Sequence, residues 1–96
     1  MAMRDESDAG LDTGPGPGGA RRTLGRQLKK HRELAGKTAA DFVEGDVGSA
    51  AKMYRIEAGK VPVRPLDVRQ MCFIYRVDDV TTAKLIQLAH ATNGSS

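Results

Sequence analysis

Ser49, Ala50, Ala51, Lys52, Tyr54 and Arg55 stand almost in a row, and their side chains span the main ways of gripping another molecule. Arg55 offers a planar fork of donors that can bond two neighbouring acceptors together, as on the O6/N7 edge of guanine. The same fork can clamp a phosphate or stay solvated. Lys52 is a long flexible cation that can reach a phosphate or a base. Tyr54 can lie against a sugar or a thymine methyl, or anchor itself in a core. Ala50 and Ala51 offer only apolar contact, chiefly to a thymine methyl. Ser49 can accept a backbone N–H and leave a helix N-terminus open to a phosphate.

Other chemistries find less support. His31 and His90 have no companions at metal-ligand spacing, and the single Cys72 falls on an apolar helical stripe. No nucleophile–base pair or carboxylate pair stands out, so neither an enzyme nor a cofactor or metal site is expected.

These side chains need rigid elements behind them. Residues 38–59, TAADFVEGDVGSAAKMYRIEAG, read as two short helices joined by a tight turn. Thr38 followed by Asp41 is a capping-box-like start, Ser49 is a second N-cap, and Gly59 suits the left-handed position past a helix end. Each helix is only about two turns long, too short to persist undocked. A first helix is expected from a cap at Thr23 to about Ala35, with Leu24 and Leu28 inward and Gly36 closing it. The second, about Ala39 to Glu44, should bury Phe42 and Val43, and the third, about Ala50 to Ala58, Met53 and Ile56. Pro65 suits the first position of a fourth helix with Asp67 in its first turn; its apolar face is Val68, Met71, Cys72 and Tyr75. A fifth, from Asp79 to about Ala91, should bury Ala83 and Ile86, with Leu85 and Leu88 as further candidates. The pattern is all-α, a compact five-helix bundle.

Ninety-six residues allow one small domain. Residues 1–20 carry Arg4 against Asp5, Glu6, Asp8 and Asp12, a net of −3, and include GPGPGGA. With almost no large apolar side chains, this stretch reads as a disordered tail, and 93–96 as a disordered end. The overall charge of +3 leaves +6 on the remainder, which attracts polyanions. No apolar run approaches the roughly 18 residues of a membrane span, and one cysteine excludes an internal disulfide, so a cytoplasmic location is expected.

RRTLGRQLKKHRELAGKTAADFVEGDVGSAAKMYRIEAGKVPV resembles the Cro/repressor-type, or XRE-type, helix-turn-helix domain, and the likeness extends over residues 21–92. Its best anchors are Gly36-Lys37-Thr38 and Lys52 through Lys60. The continuation, RPLDVRQMCFIYRVDDVTTAKLIQLA, looks like the end of this domain in actinobacterial regulators, which commonly carry a further C-terminal domain. The resemblance implies a lambda-repressor-like bundle that places its third helix in the major groove of double-stranded DNA. It implies an ion pair between Arg32 and Glu57 that is structural, and phosphate contacts from Lys60 and Arg64 after the third helix. Arg21, Arg22 and Arg26 can reach the adjacent backbone. Thr38, Ser49, Ala50, Ala51, Lys52, Tyr54, Arg55, Lys60 and Arg64 are therefore the expected DNA-binding set.

The chain departs from the family at several of these positions. Ala39 stands where relatives often have a phosphate-gripping Gln, and Ala50 and Ala51 replace polar residues. Asp46-Val47-Gly48 stands where Leu-Gly-Val is usual, which puts an acid at a normally buried position. A shift in register would give Val47 the apolar role, with Gly45 or Gly48 making the bend. Two readings follow. In one, the chain is a sequence-specific transcriptional regulator, dimeric on an inverted repeat and nucleoid-associated when bound. In the other, it is a protein-interaction module on the same scaffold, serving a partner protein or a further domain.

Overall fold

A computed structural model describes residues 16–93, and these form five α-helices with no strand among them. The helices are α1 (Pro17–Leu34), α2 (Ala39–Glu44), α3 (Ala50–Glu57), α4 (Pro65–Ile74) and α5 (Asp79–Thr92). The all-α bundle expected from the sequence is the fold observed. α1 lies along α5 and crosses α3, while α4 packs on α5 and also meets α1 and α2.

The start of α1 differs from expectation. The helix begins at Pro17, so Thr23 is an interior residue, and residues 17–20 belong to α1 rather than to a tail. Proline at the first helical position loses no hydrogen bond and arrives with its φ already helical. The rest of the reason is tertiary. Gly19 and Ala20 are buried, and Arg21 Nε donates to Thr92 O across the bundle at 2.9 Å. The expected tail over residues 1–15, and the end over 94–96, lie outside the described residues.

α2 opens on the reciprocal arm of a capping box: Thr38 N donates to Asp41 Oδ2 at 2.7 Å and its hydroxyl to the same oxygen at 3.1 Å. These bonds hold the Asp41 carboxyl below its ordinary pKa, so their contribution is present above that value and is lost as acid protonates the group. Ser49 Oγ accepts the Lys52 N–H at 3.1 Å and caps α3, and Asp78 accepts the Thr81 N–H at 3.0 Å to cap α5.

The core joins Leu24 and Leu28 of α1 to Phe42, Met53, Ile56, Val63, Val68, Met71, Cys72, Tyr75, Leu85 and Ala89. The faces read for α3 and α4 are the buried ones. Two expectations fail. Val43 is about half exposed, 47%, because a helix as short as α2 turns only one large residue inward, and that residue is Phe42. On α5 the buried positions are Leu85, Ala89 and Thr92, so Ala83 faces solvent and Ile86 and Leu88 are only partly covered. Thr92 is fully buried. Its hydroxyl accepts the Val63 N–H at 2.9 Å and stands 2.7 Å from Ala89 O, which ties the last helix to the loop after α3.

α1 to α4 all end in the same hydrogen-bond motif, in which the residue past the helix adopts a left-handed conformation. Glycine fills that position twice, at Gly36 and Gly59, while Asp46 (φ 63°) and Arg76 (φ 59°) fill it in the other two. At Arg76 the motif consists of Arg76 N to Phe73 O at 3.3 Å and Val77 N to Cys72 O at 2.9 Å. A left-handed L-residue costs about 1–2 kcal/mol, partly offset by the extra freedom glycine gives the unfolded chain. Arg76→Gly is accordingly expected to stabilise the fold by roughly 0.5–1 kcal/mol. A higher urea midpoint at unchanged slope would show the gain, and a lower midpoint would refute it.

Candidate nucleic-acid interface

The turn between α2 and α3 sets the geometry of the site, and its register is now fixed. Asp46 is the left-handed residue, with Asp46 N bonded to Val43 O at 3.0 Å and Val47 N to Phe42 O at 3.4 Å. Neither Gly45 nor Gly48 makes the bend. Aspartate tolerates this conformation better than most residues, and here its carboxylate faces solvent while Val47 turns into the core. The acid therefore avoids burial. Gly45 instead lets Ile74 pack closely, and Gln70 Nε2 donates to Gly45 O at 3.2 Å.

With Met53 and Ile56 buried, the opposite face of α3 presents Ala51, Tyr54, Arg55 and Ala58 to solvent, a stripe at i, i+3, i+4 and i+7. Tyr54 is 59% exposed, which resolves the two readings of this residue in favour of a surface one. Ser49 is exposed at the start of the helix, and Ala50 is half-buried beside it. Thr38 is exposed at the start of α2, and Lys60 and Arg64 are exposed in the loop after α3.

Arg32 and Glu57 meet as the resemblance implied. Nε lies 2.7 Å from Oε2 and Nη2 3.1 Å from Oε1, a two-bonded fork, while Nη1 donates to Lys37 O at 3.0 Å. Their side chains are only 14% and 6% exposed. The hydrogen bond to Glu57 raises the Arg32 pKa against the opposing effect of burial. Tyr75 is buried within electrostatic reach of both. Burial pushes its phenol well above the ordinary range, and its hydroxyl has no hydrogen-bond partner among the described residues.

Two basic residues expected at the DNA are otherwise engaged. Arg21 holds the carbonyl end of α5, as described above. Lys52 folds back, its Nζ 3.0 Å from Val47 O and 3.0 Å from Asp67 Oδ2. Asp67 is the residue that sequence reasoning undervalued. The sequence places it only in the first turn of α4, yet it is buried and also meets Arg64, at 3.3 Å from Nε and 3.4 Å from Nη2. The Arg64–Asp67 half was visible as an i,i+3 pair at the start of a helix. The Lys52 half needs the tertiary fold.

Two short helices joined by a left-handed turn, with the second helix braced by α1 and exposing one stripe to solvent, define the helix-turn-helix class. The chain belongs to the helix-turn-helix domain family, which matches residues 23–85. No curated protein and no solved structure matches it significantly. Among the described residues no helix is long and apolar enough to cross a membrane, and no group of three or more His, Cys, Asp and Glu is placed to hold a metal.

Proposed function

We propose that the chain binds double-stranded DNA sequence-specifically, as an XRE-type transcriptional regulator that inserts α3 into the major groove. The observation that carries this reading is the solvent-facing stripe of α3, where Tyr54 and Arg55 project between Ala51 and Ala58 from a helix held rigidly by the Arg32–Glu57 fork. Arg55 is the base-reading side chain, with Tyr54 and Ala51 making sugar or methyl contacts. Thr38, Ser49 and Lys60 surround the helix as backbone contacts, with Arg64 beside them partly held by Asp67; such contacts supply affinity and register. One short helix reads few base pairs, so a homodimer on an inverted repeat is the natural assembly. Such a protein would act in the cytoplasm, on the nucleoid.

The test is fluorescence anisotropy on duplexes selected from genomic fragments, over a salt series. Affinity should fall steeply with salt, and no binding at low salt, or a flat response, would defeat the reading. Arg55→Ala should cost about 1–3 kcal/mol on the selected duplex and much less on unrelated DNA. An equal loss on both would make Arg55 a phosphate contact instead.

A second reading, a protein-interaction module, is favoured by the apolar surface away from α3. Phe73 on α4 is 82% exposed, and Leu66 and Val80 are also open. Chemical-shift changes confined to α4 and α5 on adding a partner, with α3 silent to DNA, would favour it.

A further inference from the structure

At the N-terminal end of α3 one carboxylate serves two cations. Asp67 holds Lys52 Nζ at 3.0 Å and the Arg64 guanidinium at 3.3 and 3.4 Å. The carboxylate side chain is 11% exposed, against 32% for Lys52 and 72% for Arg64. Lys52 also donates to Val47 O, so two of its three donors are spent inside the protein. The cluster thus carries a single net positive charge where the sequence alone would count two cations.

Resting on the DNA-binding reading above, we infer that Asp67 is a positioning residue that withholds Lys52, and restrains Arg64, from the DNA backbone. The carboxylate is already in place beside both cations, whereas a phosphate reaching for them must pass close to that same negative charge. Lys52 therefore stays folded against the turn when DNA binds. Asp67 limits the sequence-independent part of the affinity and leaves discrimination to the stripe of Arg55 and Tyr54. A lysine at the start of the recognition helix is here a strut of the turn, not a contact to the ligand.

The full chain, Asp67→Asn and the double variant Lys52→Met/Asp67→Asn are compared by anisotropy on the selected and on an unrelated duplex, at salt from about 0.05 to 0.3 M, a range over which phosphate contacts dominate. Thermal melts establish that each variant is folded at the measuring temperature. Each cation released onto a phosphate steepens the slope of log K against log[salt] by about 0.9, which near 0.15 M corresponds to about fivefold tighter binding. Asp67→Asn should show at least one such increment on both duplexes, and the double variant should lose one. An unchanged slope in Asp67→Asn overturns the inference, as does a double variant that keeps the full gain. A readout independent of Asp67 variants is the Lys52 ammonium resonance of the unmodified chain. It should keep its position when the selected duplex is added, and a shift comparable to that of a phosphate-bound lysine would overturn the inference. Absence of DNA binding by the unmodified chain would remove the DNA-binding reading and this inference together. Normal binding with an unaltered Asp67→Asn slope removes this inference alone.

Discussion

Glu57→Ala is expected to lower the stability of the domain by roughly 3–5 kcal/mol, the usual cost of stranding one partner of a buried ion pair. The magnitude follows from what remains behind. Arg32 would keep its bond to Lys37 O but lose both donors' partners at 2.7 and 3.1 Å, in a site where its side chain is 14% exposed. A guanidinium does not shed its proton to escape. For a domain of this size such a loss is a large share of the total, so the melting temperature should fall by well over 10 °C, or folding should fail. Glu57→Gln should recover part of the loss, since the amide oxygen can still accept from the fork. A thermal melt by circular dichroism decides the matter: an unchanged midpoint for Glu57→Ala would show that the fork contributes nothing to stability.

The second large effect is expected at Gly25, where α1 crosses the end of α3. A Cβ placed there would stand 2.6 Å from Glu57 O, 2.9 Å from Glu57 C and closer still to Ile56 O. These are main-chain atoms at a helix terminus, so no rotamer change relieves the clash and the two helices must separate. Overpacking usually costs about 1–3 kcal/mol where side chains can yield. Gly25→Val should lie at or above the top of that range, since valine brings no helix-propensity gain large enough to offset it. Gly18, in the same helix, is the control. A Cβ there meets only the Arg22 guanidinium at 3.6–3.7 Å, an ordinary contact, so Gly18→Ala should be neutral or slightly stabilising. Equal midpoints for the two variants in chemical unfolding would refute the close crossing. If Gly25→Val folds at all, the displaced α3 should also bind DNA more weakly, which couples this packing glycine to the proposed function.

What the sequence made legible was local. Thr38, Ser49 and Pro65 announce helix starts because caps and N1 prolines act within one turn. Met53 with Ile56, and Val68 with Met71, Cys72 and Tyr75, announce buried faces because spacing on a helix is fixed by its geometry. The Arg32–Glu57 fork, by contrast, came from the family resemblance and not from spacing. What stayed hidden depends on distant parts of the chain. The first turns of α1 are anchored by Arg21 on Thr92, and no composition rule anticipates that a Gly/Pro-rich segment will be held by the last helix. Gly45 and Gly48, on either side of Asp46-Val47, stand out as bend residues, while the left-handed position fell on the aspartate because Val47 had to reach the core. The interface was legible in its members but not in their allegiance. Exposure of Tyr54 and Arg55 follows from the α3 pattern, whereas the commitment of Lys52 to Asp67 appears only once α4 is in place.

The clasp of Arg21 on Thr92 also has a consequence for the order of events during synthesis. The two residues are 71 positions apart, so the earliest part of the domain to leave the ribosome gains this anchor only after almost all of it has been made. The Val63–Thr92 bond imposes the same wait on the loop behind α3. A nascent chain halted before the last turn of α5 would hold most of its hydrophobic side chains yet lack the contact that closes them. The bundle thus stays open at one end until the last turn of α5 latches it.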